Sequence, residues 1–553
     1  MGRRTERTYG AAAGVAVAAV ALGVGELVAV ATGPRSAPLV AVGAVVIDAV
    51  PTAVKELAVR VFYTYDKLAL QIGTAALLAL AAAAVGVLAL RRLRYGVAGV
   101  GLFGLAGVLA AATRPGATWA YPIPSILGAL AGATLLAVLR RSLTTPDTTI
   151  EIPGTAAAAT PDLSVPAPEV PAPEVPATAA EARDSAAAAT PEIEPAAAAR
   201  GRRRFLRLAG GSIAAAAVAG VGGRWLAASL GAAQARAGVR LPAPASPAAP
   251  LPAQVELGMG RVTPFLTRSA DLYRVDTALV VPQVVPKDWH LRIHGRVGRP
   301  LTLTFDELLR RPMVERYITL ACVSNEVGGG LVGNVRWLGV PVKDLLDEVE
   351  PHDGADQVVS RAVDGWTAGT PTAVLLDGRD ALVAVGMNGE PLPIEHGFPA
   401  RLVVPGLYGY VSATKWLAEL ELSRFADFTA YWARRGWAAQ APVKTQSRID
   451  TPGAGRRVSR GTVLVAGVAW AQHRGVSTVE VRADDGPWQQ ATLAAVPSID
   501  TWRQWSWPWE ASPGRHRLQV RATDNAGDVQ AGQQHKPLPD GATGWHTISV
   551  NVA

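Results

Sequence analysis

The stretch Glu315-Arg316-Tyr317-Ile318-Thr319-Leu320-Ala321-Cys322-Val323-Ser324-Asn325-Glu326-Val327-Gly328-Gly329-Gly330 holds the only cysteine among 553 residues. The alternating run from Tyr317 to Leu320 predicts a buried strand that ends just before Cys322. A polar and then glycine-rich loop follows, in which the backbone can approach a bulky ligand closely. One interpretation of Cys322 is a metal ligand, because a thiolate held at a strand end suits a soft metal ion. The other interpretation is that the side chain is a small buried hydrophobe. The choice between the two depends on the rest of the chain.

The composition limits the classes of protein and site that need to be considered. A lone cysteine excludes an intramolecular disulfide, a thiolate-rich zinc site and a cysteine-ligated iron–sulfur cluster. The net charge of +8 is spread along the chain, and its densest basic clusters flank apolar runs. Such clusters indicate membrane topology rather than a nucleic-acid surface, and no nucleic-acid partner is predicted. The length predicts about three to four domains.

Four long apolar runs lie near the N-terminus. They occupy residues 9–32, 67–90, 96–113 and 119–139. Each is long enough to cross a hydrocarbon core of about 30 Å as a helix. The basic clusters lie at residues 3–7, 91–94, 140–141 and 202–207. With the N-terminus inside, all of them are cytoplasmic under the positive-inside rule, so residues 1–141 are predicted to form a transmembrane helical domain in contact with lipid.

The segment 37–63 is less regular, because an apolar half is followed by charged residues and a proline. Counting it as a full span would place the basic cluster at 91–94 on the wrong side, so an amphipathic or re-entrant segment on the outer face is predicted. All eight histidines lie at or after His290. A bis-histidine haem between the helices is therefore excluded, and the helical domain is interpreted as an anchor.

An Ala/Pro-rich stretch at residues 142–200 predicts a disordered linker. The run Arg202-Arg203-Arg204-Phe205-Leu206-Arg207 then opens an apolar segment. This segment, residues 201–232, resembles a twin-arginine export signal; the alternative is a fifth helix with a basic cytoplasmic end. Both interpretations place the remainder of the chain outside the cytoplasmic membrane. A second Ala/Pro-rich stretch, residues 233–257, is predicted to be a spacer.

Residues 258–424 have a globular composition. Strands are predicted over 289–295 and 401–405, a helix over 304–309 and a strand–turn–helix unit over 335–346. The pattern predicts a mixed α+β domain with irregular loops.

The order of these elements resembles the sulfite oxidase family of molybdopterin enzymes, in a membrane-anchored bacterial form. The resemblance covers about residues 258–553 and rests on Leu291-Arg292-Ile293-His294-Gly295, Thr319-Leu320-Ala321-Cys322, Trp337-Leu338-Gly339-Val340-Pro341, residues 396–406 and residues 408–417. It implies that Cys322 is the protein thiolate on molybdenum, with further sulfur ligands from the pterin dithiolene. The implied chemistry is oxygen-atom transfer at the molybdenum cofactor.

The resemblance also implies the residues that contact the cofactor. Arg401 and Lys415 match positions that hold its phosphate end, and His396 matches a cofactor contact. The remaining implied contacts come from a C-terminal loop and an N-terminal stretch, and they are Ser412, Thr414, Ser269, Tyr273 and Arg274.

The implied catalytic residues are Cys322, Arg268 and Trp366. Arg268 matches a family arginine at the substrate site, and Trp366 lies where relatives often have a tyrosine near the metal. The loop after Cys322 contains no arginine and one acid, Glu326. An acid beside the metal would repel sulfite, unless it points away and pairs with Arg268.

Residues 425–553 show short alternating strands with turns at 484–487 and 524–527. This spacing predicts an immunoglobulin-like β-sandwich, and it resembles the family's dimerisation domain, so a homodimer is predicted. A cluster of tryptophans at positions 502, 505, 507 and 509 is expected in the sandwich core and interface.

Three functions remain open at this level. The first is oxidation of sulfite or a related small sulfur compound. The second is reduction of a sulfoxide or another S- or N-oxide on the same cofactor. The third is a non-enzymatic extracytoplasmic binding protein. Since the sequence has no Cys-x-x-Cys-His motif, either enzyme would need a separate electron carrier, such as a cytochrome or a membrane redox partner.

Overall fold

The structure is a computed structural model that describes residues 3–49, 66–114, 117–144, 193–229, 232–278 and 280–553. The chain divides into two compact units. The first comprises Met1–Val28, Leu68–Leu109 and Pro122–Gly222, and the second comprises Ala29–Lys67, Ala110–Tyr121 and Gly223–Ala553. Most of the predicted linker, residues 145–192, lies outside the described residues.

The N-terminal part of the described chain is helical. Its helices are α1 (Arg3–Thr32), α2 (Pro38–Ala49), α3 (Asp66–Arg91), α4 (Leu93–Ala112), α5 (Ile123–Thr144) and α6 (Ile193–Ser229). Five of them contain a stretch long and apolar enough to cross a membrane, namely Thr5–Thr32, Ile72–Arg91, Leu93–Ala112, Ile123–Ser142 and Arg203–Gly223. They coincide with the four predicted apolar runs and with the predicted helix of residues 201–232.

Helix α2 has 12 residues, so it is about 18 Å long and too short to cross a bilayer. The prediction that residues 37–63 do not form a full span stays a prediction. Residues 50–65 of that segment lie outside the described part of the chain.

Small residues allow close helix packing in the first unit. A Cβ atom added at Gly14 would overlap the backbone of Ala82, and one added at Gly86 would overlap the backbone of Gly10. Gly10 and Gly14 are four residues apart on one face of α1, the spacing that brings helix backbones together in membranes.

Two predicted boundaries differ from the structure. Helix α6 begins at Ile193, inside the stretch predicted as linker. The predicted spacer at 233–257 is not a free tether, because it packs against the domain that follows. Arg236 in α7 (Ala232–Gly238) donates to the carbonyl of Leu392 at 2.8 Å, and the Ala245 amide donates to the carbonyl of Met313 at 2.8 Å.

Two β-sheets form the centre of the predicted α+β domain. Its strands are β1 (His290–Gly295), β2 (Leu301–Thr304), β3 (Val314–Ala321), β4 (Val332–Pro341), β5 (Gln357–Ala362), β6 (Thr367–Pro371), β7 (Leu382–Met387), β8 (Glu390–Pro391), β9 (Arg401–Val403) and β10 (Leu417–Ser423). One sheet has the order β3-β4-β7-β8 with β9 paired to β7, and the other has the order β2-β1-β10-β5-β6. Its short helices are α8 (Phe305–Leu309), α9 (Val342–Val349), α10 (Thr372–Leu376) and α11 (Gly409–Ser412).

Strand β3 positions Cys322. It pairs antiparallel with β4 from Val314 to Ala321, and its last four residues are buried. Cys322 is the next residue, and its amide donates to the carbonyl of Leu331 at 2.9 Å. This bond closes the base of the glycine-rich loop and fixes the backbone at Cys322.

The C-terminal region contains two sheets that share one core. Its strands are β11 (Gln446–Thr451), β12 (Arg457–Val458), β13 (Gly461–Trp470), β14 (Val476–Ala483), β15 (Gln489–Gln490), β16 (Thr492–Leu493), β17 (Arg503–Ala511), β18 (Gly514–Asp524) and β19 (His546–Val552). The orders are β11-β13-β17-β16 and β12-β19-β18-β14-β15. Trp505, Trp507 and Trp509 lie in the core between them.

Trp502 and the segment before β11 pack against the preceding domain, unlike the rest of this region. Trp502 belongs to the core of the preceding domain, where its indole N–H donates to the carbonyl of Phe265 at 2.8 Å. Ala441 and Val443 are buried in the same core. The boundary predicted at residue 425 therefore precedes a segment that still packs against the α+β domain.

Candidate functional site

A cavity with about 820 Å³ of free space, part of it open to solvent, lies at the end of β3. Segments from several elements converge on it, because the loops that follow β3 and β5 and the loop around α11 meet at this point. Five of the residues predicted from the sequence line this cavity together: Cys322, Tyr273, Trp366, Arg401 and Lys415.

The Cys322 thiol is buried, with 9% of the residue exposed. Burial raises the pKa of this thiol, while hydrogen bonds from Ser324 and the positive charge of Lys415 act in the opposite direction. A buried thiol with these neighbours stays protonated until a metal cation takes it as a thiolate.

Arg401 is the most deeply buried cation of the cavity, with 4% of the residue exposed. Its guanidinium lies 5.1 Å from the centre of the Trp337 ring and donates to the carbonyls of His396 and Ala413 at 3.1 and 3.3 Å. Burial lowers its pKa to about 10. No carboxylate in the described part of the chain forms an ion pair with Arg401, so its charge is available to an anionic ligand.

Lys415 is the second cation of the cavity. Its ammonium group contacts a carboxylate oxygen of Asp276 at 2.9 Å and donates to the carbonyl of Glu395 at 3.2 Å. Arg274 reaches the same carboxylate at 2.8 Å. Burial lowers the pKa of Lys415 to about 8, against the opposing effect of Asp276. Two cations thus share one buried carboxylate beside a third cation, Arg401.

His396 lies behind Arg401 and carries a buried nitrogen, Nδ1, without a hydrogen-bond partner. Burial, with the charges of Arg401 and Lys415, lowers the pKa of His396 to about 3, so the imidazole is neutral. A buried nitrogen without a hydrogen-bond partner and a buried guanidinium without a carboxylate partner fit a ligand with hydrogen-bonding ring edges and a negative charge. These are the properties of a pterin that ends in a phosphate.

Other predicted residues do not line the cavity. Arg268 has a side chain that is 82% exposed and pairs with Asp271 at 2.5 Å. Ser412 donates to the carbonyl of Tyr408 at 2.9 Å, and the hydroxyls of Thr414 and Ser360 lie 2.6 Å apart. Ser269 accepts from Asn388 at 3.2 Å, and Arg274 and His396 lie outside the lining as well. The roles predicted for these residues stay predictions.

The acidic residues that line the cavity differ from Glu326, the acid that the sequence placed near the metal. Glu326 is exposed, does not line the cavity and does not pair with Arg268, whose partner is Asp271. The carboxylates that line the cavity are Asp276 and Asp364. Sequence reasoning missed both.

Asp364 lies in the turn that follows β5. Its Oδ1 accepts from the Trp366 amide at 3.0 Å, and burial raises its pKa, against the opposing effects of that hydrogen bond and of the charge of Arg35. Two aromatic residues, Tyr410 and Trp432, complete this side of the cavity. The Asp-Gly turn beside Trp366 was the available signal for Asp364, whereas Trp432 falls beyond the predicted domain boundary.

A family model and curated relatives point to one family. Residues 278–432 match the family model described as "Oxidoreductase molybdopterin binding domain". An uncharacterized oxidoreductase, YuiH, of Bacillus subtilis (strain 168) is 34% identical over 149 residues, which cover 27% of this chain and 72% of that protein. Mitochondrial sulfite oxidase of Mus musculus is 29% identical over 349 residues, which cover 53% of this chain and 62% of the mouse protein.

The chain therefore spans less than two thirds of the length of the mouse sulfite oxidase. Among solved structures, the sulfane dehydrogenase SoxCD from Paracoccus pantotrophus matches with a TM-score of 0.47 and 23% identity, over 53% of this chain and 84% of the other.

Proposed function

Since the chain belongs to the sulfite oxidase family of molybdopterin-dependent oxidoreductases, we propose that it transfers an oxygen atom to or from a sulfur compound at a molybdenum cofactor, most directly by oxidising sulfite or a related compound. The observation that supports this proposal is the meeting of the Cys322 thiol with Arg401 and Lys415 in one cavity. The thiol is the soft ligand that molybdenum requires, and the two cations suit a phosphate.

Cys322 and each residue that the resemblance implies as a cofactor contact have a task in this proposal. Cys322 ligates the metal. Arg401 and Lys415 would hold the phosphate end, and His396, whose buried Nδ1 has no partner, would be a further contact. Tyr273, on the cavity lining, would be another contact. The resemblance implies four further contacts from residues outside the lining, namely Ser269, Arg274, Ser412 and Thr414. When bound, the cofactor supplies two-electron oxygen-atom-transfer chemistry, while the protein supplies position and electric field.

The proposed location is the outer side of the cytoplasmic membrane. Five helices in the described part of the chain are long and apolar enough to span a bilayer, and the basic clusters favour an N-terminus on the inner side. With an export signal at residues 201–232, the second unit faces outward.

The proposed partners follow from the family and from the sequence. Electrons pass to or from a separate carrier, such as a cytochrome or a membrane redox subunit, because the sequence lacks a haem-attachment motif. The C-terminal sandwich is proposed to be immunoglobulin-like and to form a homodimer.

A second candidate is reduction of a sulfoxide on the same cofactor. The observation that favours it is the composition of the cavity wall, which contains Asp364, Trp366 and Trp432 and no arginine from the loop after Cys322. Dye-coupled assays in the oxidising and reducing directions distinguish the two enzymes.

Metal analysis together with a Cys322→Ser variant tests the proposal. The purified full-length protein is expected to carry about one molybdenum per chain and to turn over a sulfur compound with an artificial electron carrier. Cys322→Ser is expected to lose this turnover while its thermal unfolding stays unchanged, because serine fills the same space without a soft ligand. Full activity in the variant would refute the ligand assignment, and wild-type protein without molybdenum would favour a non-enzymatic binding protein.

A further inference from the structure

A second depression lies beside the cavity at the end of β3. It has about 420 Å³ of free space, part of it open to solvent, and most of its lining is apolar. We call it the aromatic groove, after its ring-bearing residues Tyr410, Phe425, Phe428 and Trp432. None of these side chains has a task in the proposed function.

The aromatic groove and the cavity share a wall. Tyr410 and Trp432 line both of them, so a single layer of side chains separates the two spaces. The Tyr410 hydroxyl donates to the carbonyl of Ala438 at 2.7 Å, which fixes its ring. The ring of Trp437 packs behind this wall, 5.7 Å from the Tyr410 ring and 6.3 Å from the Trp432 ring, measured between centres. A molecule in the groove therefore lies close to whatever occupies the cavity.

Arg434 and Arg435 place positive charge at the edge of the aromatic groove. The Arg434 guanidinium lies 5.9 Å from the centre of the Phe428 ring, and the Arg435 guanidinium lies 3.6 Å from the centre of the Tyr431 ring. No carboxylate among the described residues forms an ion pair with either guanidinium. Both charges are therefore available to a partner that approaches the groove.

The other charges at this edge largely cancel. Arg424 pairs with Asp427 at 2.7 Å. The exposed Asp356, whose carboxylate accepts from the Phe425 amide at 2.8 Å, offsets one further positive charge. The rim of the groove thus keeps a net positive charge around an apolar floor. This combination is complementary to a protein that exposes an apolar surface among acidic side chains.

We infer that the aromatic groove is the docking site of the separate electron carrier, and that this carrier is a small acidic redox protein whose flat cofactor has an exposed edge. The inference rests on the proposed function and names the chemistry of its partner. Electron-transfer complexes bury little surface and are steered by charge, so a shallow groove with a few cations is sufficient.

The electrons balance with one docking event for each. In the oxidising direction, the sulfur compound and water give the oxygenated product, two protons and two electrons. Two carrier molecules dock in succession, each is reduced by one electron, and the protons pass to the solvent. The reducing direction consumes the same species, with two reduced carriers as the electron donors.

Two forms of cytochrome c provide matched probes for the full-length holoenzyme. The native form is basic, whereas the succinylated form carries carboxylates in place of its lysine charges, and both contain the same haem. Surface plasmon resonance measures Kd at about 20 mM and about 500 mM salt, because charges on the surface are screened at the higher value. We expect the succinylated form to bind about tenfold more tightly than the native form at low salt, and to lose this advantage at high salt.

Charge reversal at the rim identifies the site. The double variant Arg434→Glu with Arg435→Glu should bind the succinylated form about tenfold more weakly, because two exposed attractions are replaced by repulsion. Its turnover with a small dye should be unchanged, since neither arginine lines the cavity. Arg456→Glu with Arg457→Glu is the matched control, because these arginines are also adjacent and exposed but lie in the C-terminal region. The control should bind as the parent protein does.

Phe428→Ala tests the floor of the groove. Phe428 lines the groove and does not line the cavity. Loss of its ring should weaken binding of the succinylated form at both salt concentrations, because apolar contact is not screened by salt.

The failure of this inference and the failure of the proposed function are distinguishable. If the rim variant binds as tightly as its control, or if Phe428→Ala binds as tightly as the parent protein, the carrier docks elsewhere and the inference is wrong. Dye-coupled turnover of a sulfur compound would then leave the proposed function standing. If molybdenum-loaded protein turns over no sulfur compound with the dye, the proposed function is wrong and the assignment of an electron carrier to the groove falls with it.

Discussion

The Lys415 ammonium group is buried against Asp276, with 10% of its side chain exposed. Burial is the larger effect and lowers its pKa to about 8, below the value of about 10.4 for a free lysine. In this interval the unfolded chain binds a proton that the folded protein has lost. The contribution of Lys415 to the free energy of unfolding therefore increases as pH rises from about 8 to about 10.4.

The pKa of Lys415 also predicts how the affinity of the protein for an anionic group depends on pH. Affinity for the phosphate end of the cofactor should fall as pH rises above about 8, because the free protein then loses the positive charge of Lys415. Molybdenum retained after gel filtration at about pH 7 and about pH 9 measures this effect. Lys415→Arg should retain molybdenum equally at both values, since a guanidinium keeps its proton. Equal pH dependence in the two proteins would exclude Lys415 as a phosphate contact.

Short motifs predicted the centre of the site better than its walls. Cys322, Arg401 and Lys415 lie in contiguous motifs, and the structure brings all three to one cavity. Asp276 reaches that cavity only through the fold, whereas Asp364 had a local signal in the Asp-Gly turn beside Trp366. Arg268 had a local signal that could have been used, because Asp271 lies three residues further on and can pair with it.

At the scale of elements, the loop after β3 packs against the C-terminal β-sheets. Arg448 in β11 donates to the carbonyl of Gly329 at 2.8 Å, and the side-chain oxygen of Asn325 accepts from the Leu331 amide at 2.8 Å. Gly328 has a φ of +78°, which disfavours any side chain. A Cβ atom added there would also overlap the imidazole of His546 in β19.

Gly328→Ala is therefore predicted to displace this loop. The left-handed backbone and the overlap with His546 should together lower the free energy of unfolding by about 1–3 kcal/mol and reduce bound molybdenum. Chemical denaturation and metal analysis measure the two effects. Gly330→Ala is the matched control, because no atom lies within 4 Å of an added Cβ there and its φ is not in the left-handed region. Similar losses in both variants would show that the effect is not specific to Gly328.

Elements with regular side-chain alternation could be predicted, and irregular ones could not. The strand over Tyr317–Leu320 and the helix over residues 304–309 are present as β3 and α8, because periodicity and the Thr304 cap act locally. The Ala/Pro-rich stretch at 233–257 was wrongly predicted to be a spacer. A proline-rich composition indicates a lack of regular structure, but it does not indicate whether the extended chain packs against a domain. This stretch does, because the Ala245 amide donates to the carbonyl of Met313.

At the scale of the whole molecule, charge and hydropathy define topology without reference to tertiary structure. Apolar length and basic flanks are properties of single segments, so five helices long enough to span a membrane were predictable. The histidines, by contrast, all lie at or after His290. The electron path proposed for the second unit therefore cannot use histidine-ligated haem between this chain's own membrane helices.

The export route gives the last prediction. A cofactor assembled in the cytoplasm must cross the membrane inside a folded domain, and the pair Arg202-Arg203 is the feature that resembles a signal for folded export. Changing both residues to lysine preserves the positive charge, so topology set by charge alone should persist. If the pair is read as a twin-arginine signal, the variant should instead retain the second unit, with its molybdenum, on the cytoplasmic side.

Protease accessibility of intact spheroplasts measures the side on which the second unit lies. Arg140-Arg141, at the end of α5, is a second arginine pair and provides the matched control when changed to lysines. The control variant should expose the second unit to external protease as the parent protein does. If the Arg202-Arg203 variant is equally exposed and carries molybdenum, the positive charge of the cluster is sufficient and residues 201–232 act as an ordinary fifth membrane helix.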